Sequence, residues 1–464
     1  MPRPQRPAWR WAIFPPFILL SGCTSYEPAP LRPGEILRDL ERVGLQDVTR
    51  GLPRPHGSFD PADGLTLVEA AAAAVQLNPR LTALRTEVAV SEAQLVEAGL
   101  LPDIVIGWEA GNNIADFITE GKSSANGYIA GASLEWPVPR PGEIDAKEGV
   151  ARADIAGARG RVLAAEWGLV REVHEAYARL LVARSRVEQT QQLTSIAERS
   201  QEYLQRARSL GAATALDENL ARIAAKTAQA DVVRAQADEL QARQALNGLL
   251  GLRPGYEWTP QTTLDQLLTP TALGTRDADA LVRLALDRRP DLLETLAEYQ
   301  RAEEALRLEI ARQWPQISIG TGLSITLPIF SRFNQPAVRT AERARAATGR
   351  RLTVAVQQVR QEVHAALTEY LQAERLRQLF QDEVEPALVE SLRLNEQAFN
   401  AREVTPLQIL TSQQQVIETR ARALEARERW VVARLRLQAA TGDLLPELLT
   451  RFPTRDEDGE GESE

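Results

Sequence analysis

The chain has 464 residues, of which 44% are apolar, 25% charged and only 5% aromatic, with a formal net charge of −9. An acidic balance gives no support to nucleic-acid binding, and a single cysteine excludes an intrachain disulfide. Long stretches rich in Ala, Leu, Glu, Gln and Arg, with so few aromatics, mark coiled-coil-like helix in place of two or three globular cores.

Residues 1–22 carry Arg3, Arg6 and Arg10 ahead of a short apolar run from Trp11 to Leu20, then Leu20-Ser21-Gly22-Cys23. That order describes a secretory signal, and the run is too short to span a bilayer. The tetrapeptide resembles a bacterial lipobox, which would make Cys23 a lipidated first residue of the mature chain. Thr24 in place of aspartate favours, by the same resemblance, the outer membrane over the inner.

Residues 23–64 hold many prolines and glycines without a sustained period and read as an extended leader. A first repeat, 65–251, opens where Thr66 and Glu69 form a capping box. Asn78-Pro79 interrupts the helix, and a second helix runs to about Leu100. From Ile104 the period changes to two. Ile104, Ile106, Trp108 and Ala110 alternate with Val105, Gly107, Glu109 and Gly111. After a polar loop, Tyr128, Ala130, Ala132, Leu134 and Trp136 alternate with Ile129, Gly131, Ser133 and Glu135. Apolar residues on one face, small or acidic ones on the other and aromatics at the ends suit a membrane-barrel hairpin over 103–136; the same alternation also fits an ordinary soluble hairpin. The lipid-facing residues would be Ile104, Ile106, Trp108, Tyr128, Leu134 and Trp136.

A nearly unbroken helix follows over about Glu143–Leu210, on the order of 100 Å long, with a heptad seam of Leu169, Val173, Ala176, Leu180, Ala183 and Val187. Its partner, about Leu216–Leu250, carries two adjacent seams. One is Leu216, Leu220, Ile223, Thr227 and Ala230; the other includes Ala221, Ala225, Ala228, Val232, Ala235, Leu246 and Leu249. A helix with two seams touches neighbours on both sides and can tile a tube, and alanine on one of them brings axes close.

Residues 252–276 hold Pro254, Gly255, Pro260, Pro270 and Gly274 and read as a belt across the outside. A second repeat, 277–442, restates the grammar: a break at Arg289-Pro290, a strand segment 316–327, a long helix from Asn334 to Asn400 and a partner from Leu407 to Ala440. Subtracting 191 carries Pro328 onto Pro137, Thr405 onto Thr214, Leu407 onto Leu216 and Gly442 onto Gly251. With a one-residue slip Glu362-Val363-His364 lands on Glu172-Val173-His174. Self-similarity over such a length marks a duplication. The two strand segments differ: a single crossing over 316–327 would strand the following helix on the wrong side, and a turn at Gly320-Thr321-Gly322 leaves legs far below the ~9–11 residues a crossing needs. The expectation is a stunted second hairpin and an incomplete or partly closed barrel. Residues 443–464 form an acidic tail read as solvated disorder.

Together these features resemble the TolC-type outer-membrane efflux proteins, in particular the lipidated branch serving metal- and drug-exporting pumps of the resistance-nodulation-division kind. The resemblance rests on the lipobox, the helix-break-helix before each strand segment, the Leu-Glu-Trp-Pro-Val-Pro and Ile-Thr-Leu-Pro-Ile-Phe junctions, and the turns Ser209–Asp217 and Ala401–Gln408. It covers nearly everything from Cys23 to Gly442. It implies a mostly α fold with a small β part: duplicated helical hairpins forming a trimeric periplasmic α-barrel topped by a membrane β-barrel. It also implies partners, namely two further copies in a homotrimer, a periplasmic adaptor, an inner-membrane pump and outer-membrane lipid.

The expected function is an outer-membrane channel of a tripartite efflux system, lipid-anchored and reaching into the periplasm, that passively conducts metal cations or drugs. The alternative is a periplasmic structural lipoprotein with the same tube and no open barrel. No phosphate loop, His-Glu-x-x-His or cysteine pair is present, so no enzyme, cofactor or metal centre is expected. Leu210, Gly211, Thr214, Leu216, Thr405 and Leu407 are candidate adaptor contacts, because apolar and small residues at a tip otherwise lack a reason. Asp217, Glu218, Arg402 and Glu403 are candidates for a periplasmic gate. His174 and His364 hold equivalent places, and the simpler account is two exposed helix histidines, the other being a pH-sensitive ring.

Overall fold

The computed structural model describes residues 26–51, 64–112, 128–211, 213–268, 277–400 and 406–443. It divides into two units, Met1–Arg42 and Val43–Glu464. In the first, α1 (Pro33–Arg42) begins with proline at its first turn and is laced by Arg38–Glu35 and Arg42–Asp39 pairs. The second unit opens with α2 (Gln46–Gly51). The stretch read as an extended leader therefore holds two short helices. Pro33 suits a first helical position, where its missing N–H costs nothing.

α3 (Leu67–Leu77) starts at the expected capping box: the Glu69 N–H donates to Thr66 Oγ1 at 3.2 Å and the Thr66 N–H donates to Glu69 Oε2 at 2.9 Å. Its run of alanines, Ala70 to Ala74, is buried. Asn78 ends it, and α4 (Pro79–Ala98) begins with proline at its first position. After the hairpin comes α5 (Glu143–Ser209), 67 residues without interruption, then α6 (Ala215–Leu250), closed by Gly251 at φ +75°. A short α7 (Leu264–Leu267), α8 (Ala278–Arg288) and α9 (Asp291–Ala311) precede the second strand segment. α5 is the central rod: α3, α4, α6, α9 and the last helix all pack on it. Its expected seam is buried from Leu169 through Val173 and Leu180 to Val187.

The belt is clamped where α6 ends. Asn247, fully buried, donates from Nδ2 to the carbonyls of Pro254 (3.0 Å) and Tyr256 (2.9 Å) and accepts from Trp258 Nε1 at 2.8 Å. Tyr177 of α5 donates to the Leu65 carbonyl at 2.6 Å and stacks against Trp258. At this clamp the buried polar groups are matched by partners, as a low-dielectric interior favours.

The second long helix is not continuous. α10 (Gln335–Leu379) passes through one π-helical turn, Phe380–Val384, into α11 (Glu385–Asn400). Pro386 is the cause: it has no N–H to give and its ring would strike the carbonyl four residues back in an α-helix. The Glu385 N–H instead reaches back five residues to Phe380 O. The last helix, α12 (Pro406–Ala440), buries Trp430, Val431, Leu435 and Leu437 and ends before Gly442 at φ +73°.

Four strands form one antiparallel sheet in the order β1 (Val105–Asn112), β2 (Tyr128–Val138), β3 (Gln316–Gly320) and β4 (Leu323–Thr326). β1 pairs with β2 from Val105↔Glu135 to Asn112↔Tyr128, while β3 meets only Glu135 to Val138 of β2. The second hairpin is short, with legs of 5 and 4 residues. Gly320 is needed where it peels away, since a Cβ there would stand 1.6 Å from the Leu134 carbonyl. No described helix is long and apolar enough to cross a membrane.

Candidate functional site

The turn between α5 and α6 is built by its own residues. α5 ends at Leu210, Gly211 takes the left-handed conformation at φ +75°, and Thr214 starts α6. Thr214 and Asp217 form a reciprocal cap: the Asp217 N–H donates to Thr214 Oγ1 (3.2 Å), and the Thr214 N–H (2.9 Å) and hydroxyl (2.6 Å) donate to Asp217 Oδ2. The Thr214 hydroxyl, then its backbone N–H, hold the Asp217 carboxyl below the usual aspartate range. Glu218 is ion-paired with Arg208 across the turn. Both gate candidates on this turn are therefore engaged within one protomer, and Arg208, which sequence reasoning overlooked, is the partner of one of them. Leu210 and Leu216 stand out at 83% and 65% exposure.

At the other turn, Arg402, Glu403 and Thr405 lie outside the described residues, as does the Leu407 side chain, although its backbone belongs to α12. Cys23 also lies outside them. Ile104, just before β1, and Ile106 and Leu134 in the sheet are exposed, and Trp136 is half-buried, donating from Nε1 to the Pro102 carbonyl at 3.1 Å. Trp108 and Tyr128 occupy register positions in β1 and β2, and their side chains are outside the described set.

The two seams of α6 separate as their composition dictates. Ala221, Ala225, Ala235 and Leu246 are buried, where small side chains let α6 lie close to α5. Leu216, Leu220 and Ile223 are exposed, and around them Asn219, Arg222, Lys226, Thr227, Ala230 and Arg234 line an open groove along the same face.

The histidines do not form an equivalent pair. His364 is exposed, but His174 is buried, contrary to the expectation of two exposed residues, and neither ring nitrogen has a hydrogen-bond partner. Burial, with the Arg434 charge adding to it, pushes its pKa down to about 4. The sequence signal for that burial was present: Val173 and Tyr177 beside it lie on the face that meets the core, and both are fully buried.

The chain matches the family model described as outer membrane efflux protein over residues 71–252 and 281–443. It is 26% identical over 309 residues to the cobalt-zinc-cadmium resistance protein CzcC of Cupriavidus metallidurans, covering 61% of this chain and 69% of that protein. Among solved structures it resembles a membrane protein from Pseudomonas aeruginosa (20% identity, TM-score 0.69, covering 90% of this chain and 99% of that one). It also resembles the outer-membrane channel OprN (17% identity, TM-score 0.68, 85% and 95%). With most of its helical body inside the family match and its fold shared with these channels, the chain belongs to the outer membrane efflux protein family.

Proposed function

We propose that this protein is the outer-membrane duct of a tripartite efflux system, a homotrimer built from two copies of one helical unit per chain and anchored through lipidated Cys23. It would receive substrate from a periplasmic adaptor and an inner-membrane pump of the resistance-nodulation-division kind. The observation that carries this is the split of the α6 seams: one is buried inside the protomer, while Leu216, Leu220 and Ile223 lie bare along the other. A helix with an unused apolar stripe needs a neighbour, and a ring of copies supplies one to every protomer. The name of the Cupriavidus metallidurans relative supports metal cations such as cobalt, zinc and cadmium as cargo.

The adaptor would dock at the tips, through Leu210, Gly211, Thr214 and Leu216 on one turn and Thr405 and Leu407 on the other. Asp217 and Glu218, with Arg402 and Glu403 opposite, would set the charge of the periplasmic mouth. Analytical ultracentrifugation in mild detergent followed by single-channel recording tests the proposal: a trimer that conducts is expected, and a well-folded monomer overturns it. The short β3–β4 hairpin favours one alternative, a structural lipoprotein with the same tube and no open barrel, which a trimer silent in bilayers would identify.

A further inference from the structure

Resting on that trimeric reading, we infer that copies join along a seam whose charge changes sign partway down. Next to the strands, α10 of one copy brings Arg343 and Arg350 to Asp103 and Glu97 of the next; toward the tips the acids stand on α11 and the bases on α6.

The order of the helices identifies the two ends that meet. Near the strands they pack in the sequence α4, α5, α9, α10; nearer the tips the sequence is α6, α5, α12, with α10 and then α11 outermost. One end of the row is therefore α4 continued by α6, and the other is α10 continued by α11. Such a row closes into a ring only when one end of each copy lies on the opposite end of the next, a head-to-tail contact.

Inside one copy every upper pair of neighbours is bridged by opposite charges. Arg85–Glu166 (2.6 Å) and Arg159–Glu92 (3.0 Å) tie α4 to α5, and Arg301–Asp154 (2.6 Å) ties α5 to α9. Arg345–Glu303 (3.3 Å) and Arg351–Glu298 (3.8 Å) tie α9 to α10. Charges are left over at the two ends. Arg343 and Arg350 on α10, Glu97 on α4 and Asp103 just past it are exposed, and none has an ion-pair partner among the described residues. At about 100° per residue, Arg343, Arg350 and Val354 lie roughly 140–180° round α10 from Ala341, Arg345 and Leu352, the half-buried side that meets α9. Likewise Val90 and Glu97 lie roughly 120–180° round α4 from Arg85, Val88 and Glu92, the side that meets α5. The unused charges of both ends thus point out of the protomer, basic on one end and acidic on the other.

The heights agree as well. Followed from helix to helix, the bridges put Val90 level with Val354, Glu97 within a turn of Arg350, and Asp103 within a turn of Arg343. Val90 and Val354 are 58% and 56% exposed in a single copy. Laid together they give the seam an apolar contact, and an arginine–carboxylate pair beside it, shielded from water on one flank, is worth more than an exposed one.

Toward the tips the signs reverse. α6 turns Ala221 and Ala225 inward, while Lys226 and Arg234 are exposed on its other side. α11 gives Glu385 to Arg427 of α12, while Glu383 and Glu390, the latter braced by Arg393, are exposed on its other side. Copies sharing one membrane would set arginine against arginine and acid against acid if α10 and α11 met their own equivalents. A copy slid toward the tips would bring the α10 arginines against Lys226 and Arg234. The reversal therefore selects one partner face and one height, by repulsion from the alternatives.

The test uses the whole chain in mild detergent. Val90→Cys with Val354→Cys in one chain should, on oxidation, give disulfide-linked dimers and trimers on non-reducing gels, and neither single variant should do so. Arg350→Glu or Glu97→Arg alone should lower the trimer fraction seen by ultracentrifugation at least about threefold, and the two together should restore it to within about twofold of wild type. Trimers that yield no link, with the double variant no better than the single ones, overturn this seam and leave the duct standing. A wild type that sediments as a well-folded monomer overturns the trimeric reading itself.

Discussion

His174 offers a quantitative check on the helical core. Its imidazole is buried on α5 with both ring nitrogens unpartnered, and burial and Arg434 take its pKa from 6.5 to about 4. The folded state thus resists a proton that the unfolded chain accepts. Its contribution to stability is complete above pH 6.5 and is lost as pH falls from 6.5 toward 4. The linkage amounts to about 2 kcal/mol per protomer at pH 5 and about 3 kcal/mol at pH 4. Because no hydrogen bond is lost, His174→Leu should keep or raise stability at neutral pH and flatten the acid side of the profile by that amount. Guanidinium unfolding of the detergent-solubilised protein, followed by tryptophan fluorescence at pH 7.5 and 5.0, measures it. His364→Gln, at an exposed position, should reproduce the wild-type slope. If His174→Leu and wild type ran parallel between those pH values, the buried, neutral imidazole would be the wrong description.

Other consequences are equally direct. Gly320→Val places side-chain atoms against the Leu134 carbonyl and should cost more than about 2 kcal/mol, seen as a lower unfolding midpoint in guanidinium. Asn247→Ala strands Trp258 Nε1 and two belt carbonyls, a loss of about 3 kcal/mol read by denaturation and by new protease cuts in the belt. Thr214→Ala removes the cap of α6 and should cost about 1 kcal/mol, with faster hydrogen exchange confined to Ala215–Glu218.

The helices were legible because their determinants are local. Thr66 with Glu69, and Thr214 with Asp217, sit at capping-box spacing, and glycines close α6 and α12 at the expected places. The short second hairpin followed from the length of the segment 316–327 and the turn at Gly320-Thr321-Gly322. The two seams of α6 could be read as rows, but which one faces α5 depends on tertiary packing, and the structure gives that place to alanine. The burial of His174 was missed although Val173 and Tyr177 beside it lie on the core face, and the Arg208–Glu218 pair was missed because it is set across a turn, where no local period announces it. The helices at 33–42 and 46–51 were missed because prolines and glycines nearby masked short amphipathic turns.

The π turn explains an irregularity in the self-similarity of the sequence. The offset between the two halves is 190 at His364 and 191 at Thr405, so the second half holds one more residue between these points. A π turn accommodates one residue more than an α turn, and Phe380–Val384 lies in that interval. An added residue in a continuous α-helix would rotate everything beyond it by about 100° and turn the tip away from its packing. Confined to a π turn beside Pro386, it leaves both flanking helices in phase. Deleting Asp382 together with Pro386→Ala should therefore be tolerated, giving a continuous helix and a normal yield of folded protein. Deleting Thr368, inside regular α-helix, should sharply lower the yield of folded protein. Equal damage from both deletions would show that the π turn does not absorb the extra residue.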